Sequence, residues 1–245
     1  MKTIDAKGLY YKDLNDMVRR LVKNGEKEFL LKNVNGQRYI ADGLKGKLKI
    51  IIEGVPGNDL AAFMDGPTVL VMNNAQDAVG NTMNAGKVVV HGDAGDVIGY
   101  GMRGGKIHIL GDIGYRVGIH MKEYKNQIPV IVTGGRAHDF FGEYMAGGIQ
   151  ILLGLNEKGK QPIAGHFTGT GMHGGVIYLR GKYESRTLAK EVGVHELTEK
   201  DHALIERHLR EFCSDFDLDF EQIMKREFIK LAPHSTRPYS NYYAY

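Results

Sequence analysis

The sequence predicts a mainly β protein, a right-handed parallel β-helix of about 19 residues per turn with helical flanks at both ends. Three observations carry that prediction. Glycine is abundant, 33 of 245 residues, and clusters between about residue 54 and residue 181. Methionine marks a period: Met64, Met83, Met102 and Met121 follow one another at a 19-residue step. Short alternating runs of β-branched residues recur between the glycines, as in Val88/Val90, Ile107/Ile109, Val130/Val132 and Ile177/Leu179. Alternation of this kind is a strand signal, and the intervals between glycines are too short for helices.

Residues 1–53 read as an N-terminal cap. Leu14, Met17, Val18, Leu21 and Val22 form one apolar helix face, with Asp13 as the N-cap and Asn24-Gly25 as the stop. A hairpin is predicted next, FLLKNV and QRYIA about the Asn35-Gly36 turn, then a strand LKIIIEG.

Residues 54–181 form the repeat. Gly80, Gly99 and Gly118 stand three before a methionine, and two further copies with insertions carry Gly142 with Met145 and Gly169 with Met172. A unit of strand and turn cannot bury its own apolar face; stacking copies at roughly 4.8 Å buries it and pairs the backbone as a parallel ladder. The methionine column is expected inside, where an unbranched chain fills irregular gaps. The glycines are expected at corners that need positive φ. A left-handed hexapeptide helix needs units of six, a phase that a 19-residue step breaks on every turn.

Residues 182–245 read as a helical extension. Thr198 and Asp201 form a capping box ahead of Leu204, Ile205, Leu209 and Phe212. Asp219 and Gln222 open a second helix carrying Phe220, Ile223, Met224, Phe228 and Leu231, closed by Pro233. The last nine residues, RPYSNYYAY, hold four tyrosines.

Composition narrows the function. A net charge of +3, spread over the chain, argues against nucleic acid or a membrane surface as partner. One cysteine, Cys213, excludes a disulfide framework and fits a reducing compartment, and no leader or spanning segment is visible, so a cytoplasmic location is expected. Gly99/Gly101/Gly104 and Gly169/Gly171/Gly174 match the dinucleotide fingerprint, but both run into strands where that chemistry needs a helix. The ten histidines form no ligand pair, so no metal site is expected. His91 and His108 read as surface or satisfied positions. Asp77 with Asp96 and Asp93 with Asp112 read as turn caps. No catalytic or cofactor-binding residue is singled out.

The segments PGNDLAAFMDGP, NAQDAVGNTMNAG, HGDAGDVIGYGMRGG, GDIGYRVGIHM and GEYMAGGIQILLGL, between about residues 54 and 155, resemble the C-terminal GXGXG domain of the large (α) subunit of glutamate synthase, and the KLAPHSTRPY tail is similar too. The resemblance implies a β-helix that braces glutaminase and flavin-containing synthase parts and holds no catalytic residue itself. The family's nucleophilic N-terminal cysteine is absent here, and one cysteine cannot ligate its three-cysteine iron–sulfur cluster. The chain is therefore expected to act as a separate structural subunit. FMN and iron–sulfur groups would lie on partner glutaminase and synthase chains, and a homo-oligomer is also possible. The alternatives are the corresponding subunit of a formylmethanofuran dehydrogenase-type complex and a free-standing β-helix enzyme.

Two insertions break the period, Lys122–Ile128 and Asn156–Pro162. Loops on a rigid scaffold commonly carry binding. The first offers charge and one aromatic anchor, Tyr124, the expected contact residue for a partner.

Overall fold

The computed structural model describes residues 1–156 and 162–236. Most of the second insertion and the tyrosine-rich end lie outside the described residues. One sheet of eleven strands dominates: β1 (Lys2–Asp5), β2 (Glu28–Asn35), β3 (Lys49–Val55), β4 (Asp65–Val71), β5 (Ala85–Val90), β6 (Lys106–Ile109), β7 (Val130–Thr133), β8 (Ala146–Leu152), β9 (Gly174–Arg180), β10 (Val192–His195) and β11 (Phe228–Pro233). Strands β1 to β9 pair in chain order and in parallel, which makes a β-solenoid. Among the described residues three α-helices accompany it: α1 (Tyr11–Lys23), α2 (Glu199–Phe216) and α3 (Phe220–Met224).

Inside, stacked columns follow the register. Val69, Val88, Ile107, Ile131, Gln150 and Ile177 are partners in succession, as are Val71, Val90, Ile109, Thr133, Leu152 and Leu179. A second column of single bridges, Ala75, Ala94, Ile113, Ala137 and Ala164, runs along another side. The apolar interior is one continuous cluster from Ile4 to Leu231.

Carboxylates stitch the turns together. Asp77 Oδ1 accepts from the Asp96 amide at 2.9 Å and Asp93 Oδ1 from the Asp112 amide at 2.8 Å, each 19 residues on. These aspartates cap the next turn, so each one fixes the spacing between rungs.

Four local expectations are corrected. Asn35-Gly36 is a solenoid corner, since β2 pairs in parallel with both β1 and β3 and no hairpin forms. The ladder therefore starts well before residue 54. Tyr10, with no side-chain cap bond, precedes α1, and Asp13 sits in the first turn. Val130/Val132 point outward; Ile131 and Thr133 take the interior positions, because the preceding insertion shifts the alternation by one. The second C-terminal helix stops at Met224, and Phe228 to Pro233 instead form β11, antiparallel to β9. The open edge of β9 offers a full ladder of hydrogen bonds, which outweighs a helix too short to hold itself.

The C-terminal elements cover the outer face of the sheet. Val130, Val132, Ile149, Ile151 and Tyr178 pack against Ile205, Leu209, Phe212, Ile223 and Phe228 as a second apolar cluster. Each such side chain stabilises by roughly 1.5–3 kcal/mol when fully buried. Thr198 and Asp201 form the capping box of α2. Asp201 also accepts from the Tyr178 hydroxyl at 2.5 Å and pairs with Lys230 at 2.9 Å. Burial alone would raise the Asp201 pKa, but hydrogen bonds from Thr198, Tyr178 and Lys230 hold it well below the usual carboxylate range.

Candidate docking surface

Each rung carries a corner of alternating left-handed residues ending at its methionine. Five before the methionine stand Asp59, Ala78, Val97, Arg116, Phe140 and Phe167, all with φ between 52° and 63°. Three before stand Ala61 and then Gly80, Gly99, Gly118, Gly142 and Gly169, also left-handed. One before stand Phe63, Thr82, Gly101, His120, Tyr144 and Gly171.

The middle position faces inward, which explains its composition. A Cβ on Gly99 would lie 2.6 Å from Ile131 Cδ1, and one on Gly80 2.5 Å from Ile107 Cδ1. At Gly118 it would run into Gln150, at Gly142 into Ile177 and at Gly169 into Val192. Met64, Met83, Met102, Met121, Met145 and Met172 are all 0% exposed. These glycines and methionines build the interior, so none of them is available to a ligand.

Rings gather on and beside the two flanking positions of the later corners. Tyr115 stacks on His138 at 4.9 Å, His120 on Tyr144 at 5.4 Å, and Phe140 on Phe167 at 5.1 Å. Tyr100 meets the His120 ring edge-on at 5.9 Å, and Arg116 lies over Phe140. Tyr100, Tyr115 and Phe167 are 42%, 45% and 55% exposed. The sequence reading missed this surface. No single column signals it, because the rings stand one (His120, Tyr144), two (Tyr100), five (Phe140, Phe167), six (Tyr115) or seven (His138) positions before a methionine.

The loop that carries Tyr124 starts beside this corner. It leaves directly from Met121, after His120, and the backbone of Glu123 lies against Gly147, three residues past Tyr144. Tyr124 is 52% exposed, with Lys125 Nζ 5.2 Å from its ring centroid.

A second polar constellation lies between the sheet and α2. Lys87 contacts Asp215 at 2.6 Å and Glu211 at 3.0 Å, and Lys106 pairs with Glu211. His108 Nδ1 meets Asp215 at 2.5 Å, beside the Phe212 ring. His108 is fully buried and its Nε2 has no partner among the described residues, so it is neither a surface residue nor fully satisfied there. His91 is half-buried with its ring 5.1 Å from that of Phe216. This group pins a helix to a sheet. Among the described residues no set of three or more His, Cys, Asp or Glu side chains could hold a metal ion, and no helix is long and apolar enough to cross a membrane.

A filled parallel solenoid with left-handed glycine corners and one ring-lined outer face defines a class of repeat scaffold whose working surface is its outside. The chain belongs to the GXGXG motif family, whose model matches residues 22–234. It is 49% identical over 248 residues to an uncharacterized protein of Methanocaldococcus jannaschii, a match that covers 98% of this chain and 95% of the relative. Among solved structures, it is similar to a chain of the formyltransferase/hydrolase complex FhcABCD from Methylorubrum extorquens, determined with methylofuran. That match has a TM-score of 0.60 and 21% identity over 83% of this chain and 73% of that one. At that identity the likeness is one of fold.

Proposed function

We propose that this protein is a non-catalytic structural subunit of a multi-chain glutamate synthase, docking a glutaminase chain and an FMN- and iron–sulfur-containing synthase chain into one cytoplasmic enzyme. The observation that carries the reading is the pairing of a packed interior with an exposed ring face on a rigid scaffold. Contiguous exposed apolar surface of this kind marks association. The choice of glutamate synthase rests on the sequence segments from PGNDLAAFMDGP to GEYMAGGIQILLGL, which lie on the solenoid turns.

The test is reconstitution. Glutamate formation from glutamine and 2-oxoglutarate is measured with the three chains together and with each left out. Full activity is expected only with all three present, and the isolated chain should bind no flavin. Turnover of glutamine by the isolated chain would sink the subunit reading.

A second reading is a β-helix subunit of a complex that handles formyl groups, favoured by the fold likeness to FhcABCD. Association with the chains of a formylmethanofuran dehydrogenase-type complex, and not with glutaminase and synthase chains, would select it.

A further inference from the structure

We propose that the ring-lined corner and the Lys122–Ile128 loop form a single docking surface, whose occupant is a partner-chain surface combining carboxylates with apolar side chains. This rests on the assembly reading above and names the surface and the chemistry that assembly would use.

The rings sit where the fold does not ask for them. In the same columns Ala78, Thr82, Gly101 and Gly171 complete identical corners, so bulky residues at Phe140, Tyr144 and Phe167 are not needed to turn the chain. A large side chain in the left-handed region is strained, and strain of this kind gathers at functional positions.

The carboxylates on this face already have partners within the chain. Asp96, Asp112 and Asp139 each turn Oδ1 onto a backbone N–H of the next rung, at 2.7–2.8 Å. Glu123 Oε1 accepts from the Gly148 amide at 3.1 Å, and the buried Glu143 pairs with Arg116 at 3.3 Å. By contrast, exposed Lys122 and Lys125 have no carboxylate partner among the described residues, and Arg103 Nη1 donates to the carbonyls of Gly101 and His120. Lys122 and Lys125 are thus the ammonium groups of the loop without a counter-ion among the described residues, and a complementary surface meets them with carboxylates.

The loop is held ready. Lys122 N donates to Met102 O at 3.0 Å, and Tyr124 and Gln127 exchange backbone bonds at 3.1 and 3.0 Å. A preformed anchor lowers the ordering cost of association.

The test is calorimetry of the full chain against the FMN-containing synthase chain and, separately, the glutaminase chain. The variants are Tyr124→Ala, the double variant Lys122→Glu/Lys125→Glu, and Lys23→Glu on α1 as control, each with a thermal melt. Wild type should bind at least one chain, more weakly as salt is raised. The double variant should lose about tenfold or more in affinity, Tyr124→Ala several-fold, roughly the range of interfacial charge and aromatic truncations, and the control nothing. Unchanged affinity in correctly melting variants overturns this surface and leaves the assembly reading standing. A wild-type dimer that the double variant dissociates, read by light scattering, overturns the choice of occupant. Wild type binding neither chain overturns the assembly reading and this surface with it.

Discussion

The contrast between Gly99 and its neighbours shows how a single atom decides what a corner accepts. Val97, Gly99 and Gly101 all have φ between 52° and 66°, so backbone preference does not separate them. Direction does: a Cβ at Gly99 meets Ile131 Cδ1 at 2.6 Å, whereas one at Gly101 meets nothing nearer than Thr82 Oγ1 at 3.6 Å. Both Gly99→Ala and Gly101→Ala should suffer the left-handed penalty of about 1–2 kcal/mol. Only Gly99→Ala should add the overpacking cost of about 1–3 kcal/mol. Urea denaturation of the pair isolates the inward clash. Equal losses in the two variants would show that the glycine column exists for backbone freedom alone.

The docking of α2 on the sheet is the element-level device with a pH dependence. His108 has a lowered pKa because burial disfavours its charged form, against the opposing pull of Asp215. Lys87 also faces it, and Phe212 closes over it. His208 on α2, almost fully buried, is pulled down to about 4 by burial and then by Arg207. A histidine whose folded pKa is depressed contributes stability that is fully present above its unfolded value of about 6.5. That stability is lost as pH falls from there toward the folded values. Glu211 and Asp215 are half-buried, which alone would raise them, yet hydrogen bonds from Lys106, Lys87 and His108 hold them below the usual carboxylate range, so their losses begin at lower pH. Between pH 6.5 and about 4.5 the histidines should therefore set the slope. We expect the urea midpoint to fall over that interval and His108→Leu/His208→Leu to flatten it. A slope unchanged by the double substitution would remove the histidines from the account.

At the scale of the whole molecule, the interior is one cluster running from Ile4 through the corner methionines Met64 to Met172 to Leu231. Damage in the middle should therefore be felt at both ends. Met102→Ala is expected to cost about 2–5 kcal/mol, the usual range for a buried methionine, and to shift one cooperative transition seen by circular dichroism. Hydrogen exchange should show β2 and β9 losing protection together. Two separate melts, or a neutral substitution, would contradict a continuous core.

The solenoid, its period, the buried methionines and the α2 capping box were legible because each is written in local spacing that recurs, and stacking turns recurrence directly into a ladder. What the sequence could not settle was which element each local signal would find as its partner. Asn35-Gly36 carries hairpin chemistry, but parallel neighbours on both sides of β2 make it a corner. Phe228 and Leu231 fit a helix face, but the open edge of β9 draws them into a strand. Val130 and Ile131 alternate either way, and only the insertion before them decides which faces inward. The ring face likewise exists only once turns more than 20 residues apart are stacked side by side, as Tyr115 is with His138. Local chemistry sets what each segment can do; the tertiary fold chooses among those options, because burial and hydrogen bonding are won from neighbours that the chain brings together only when folded.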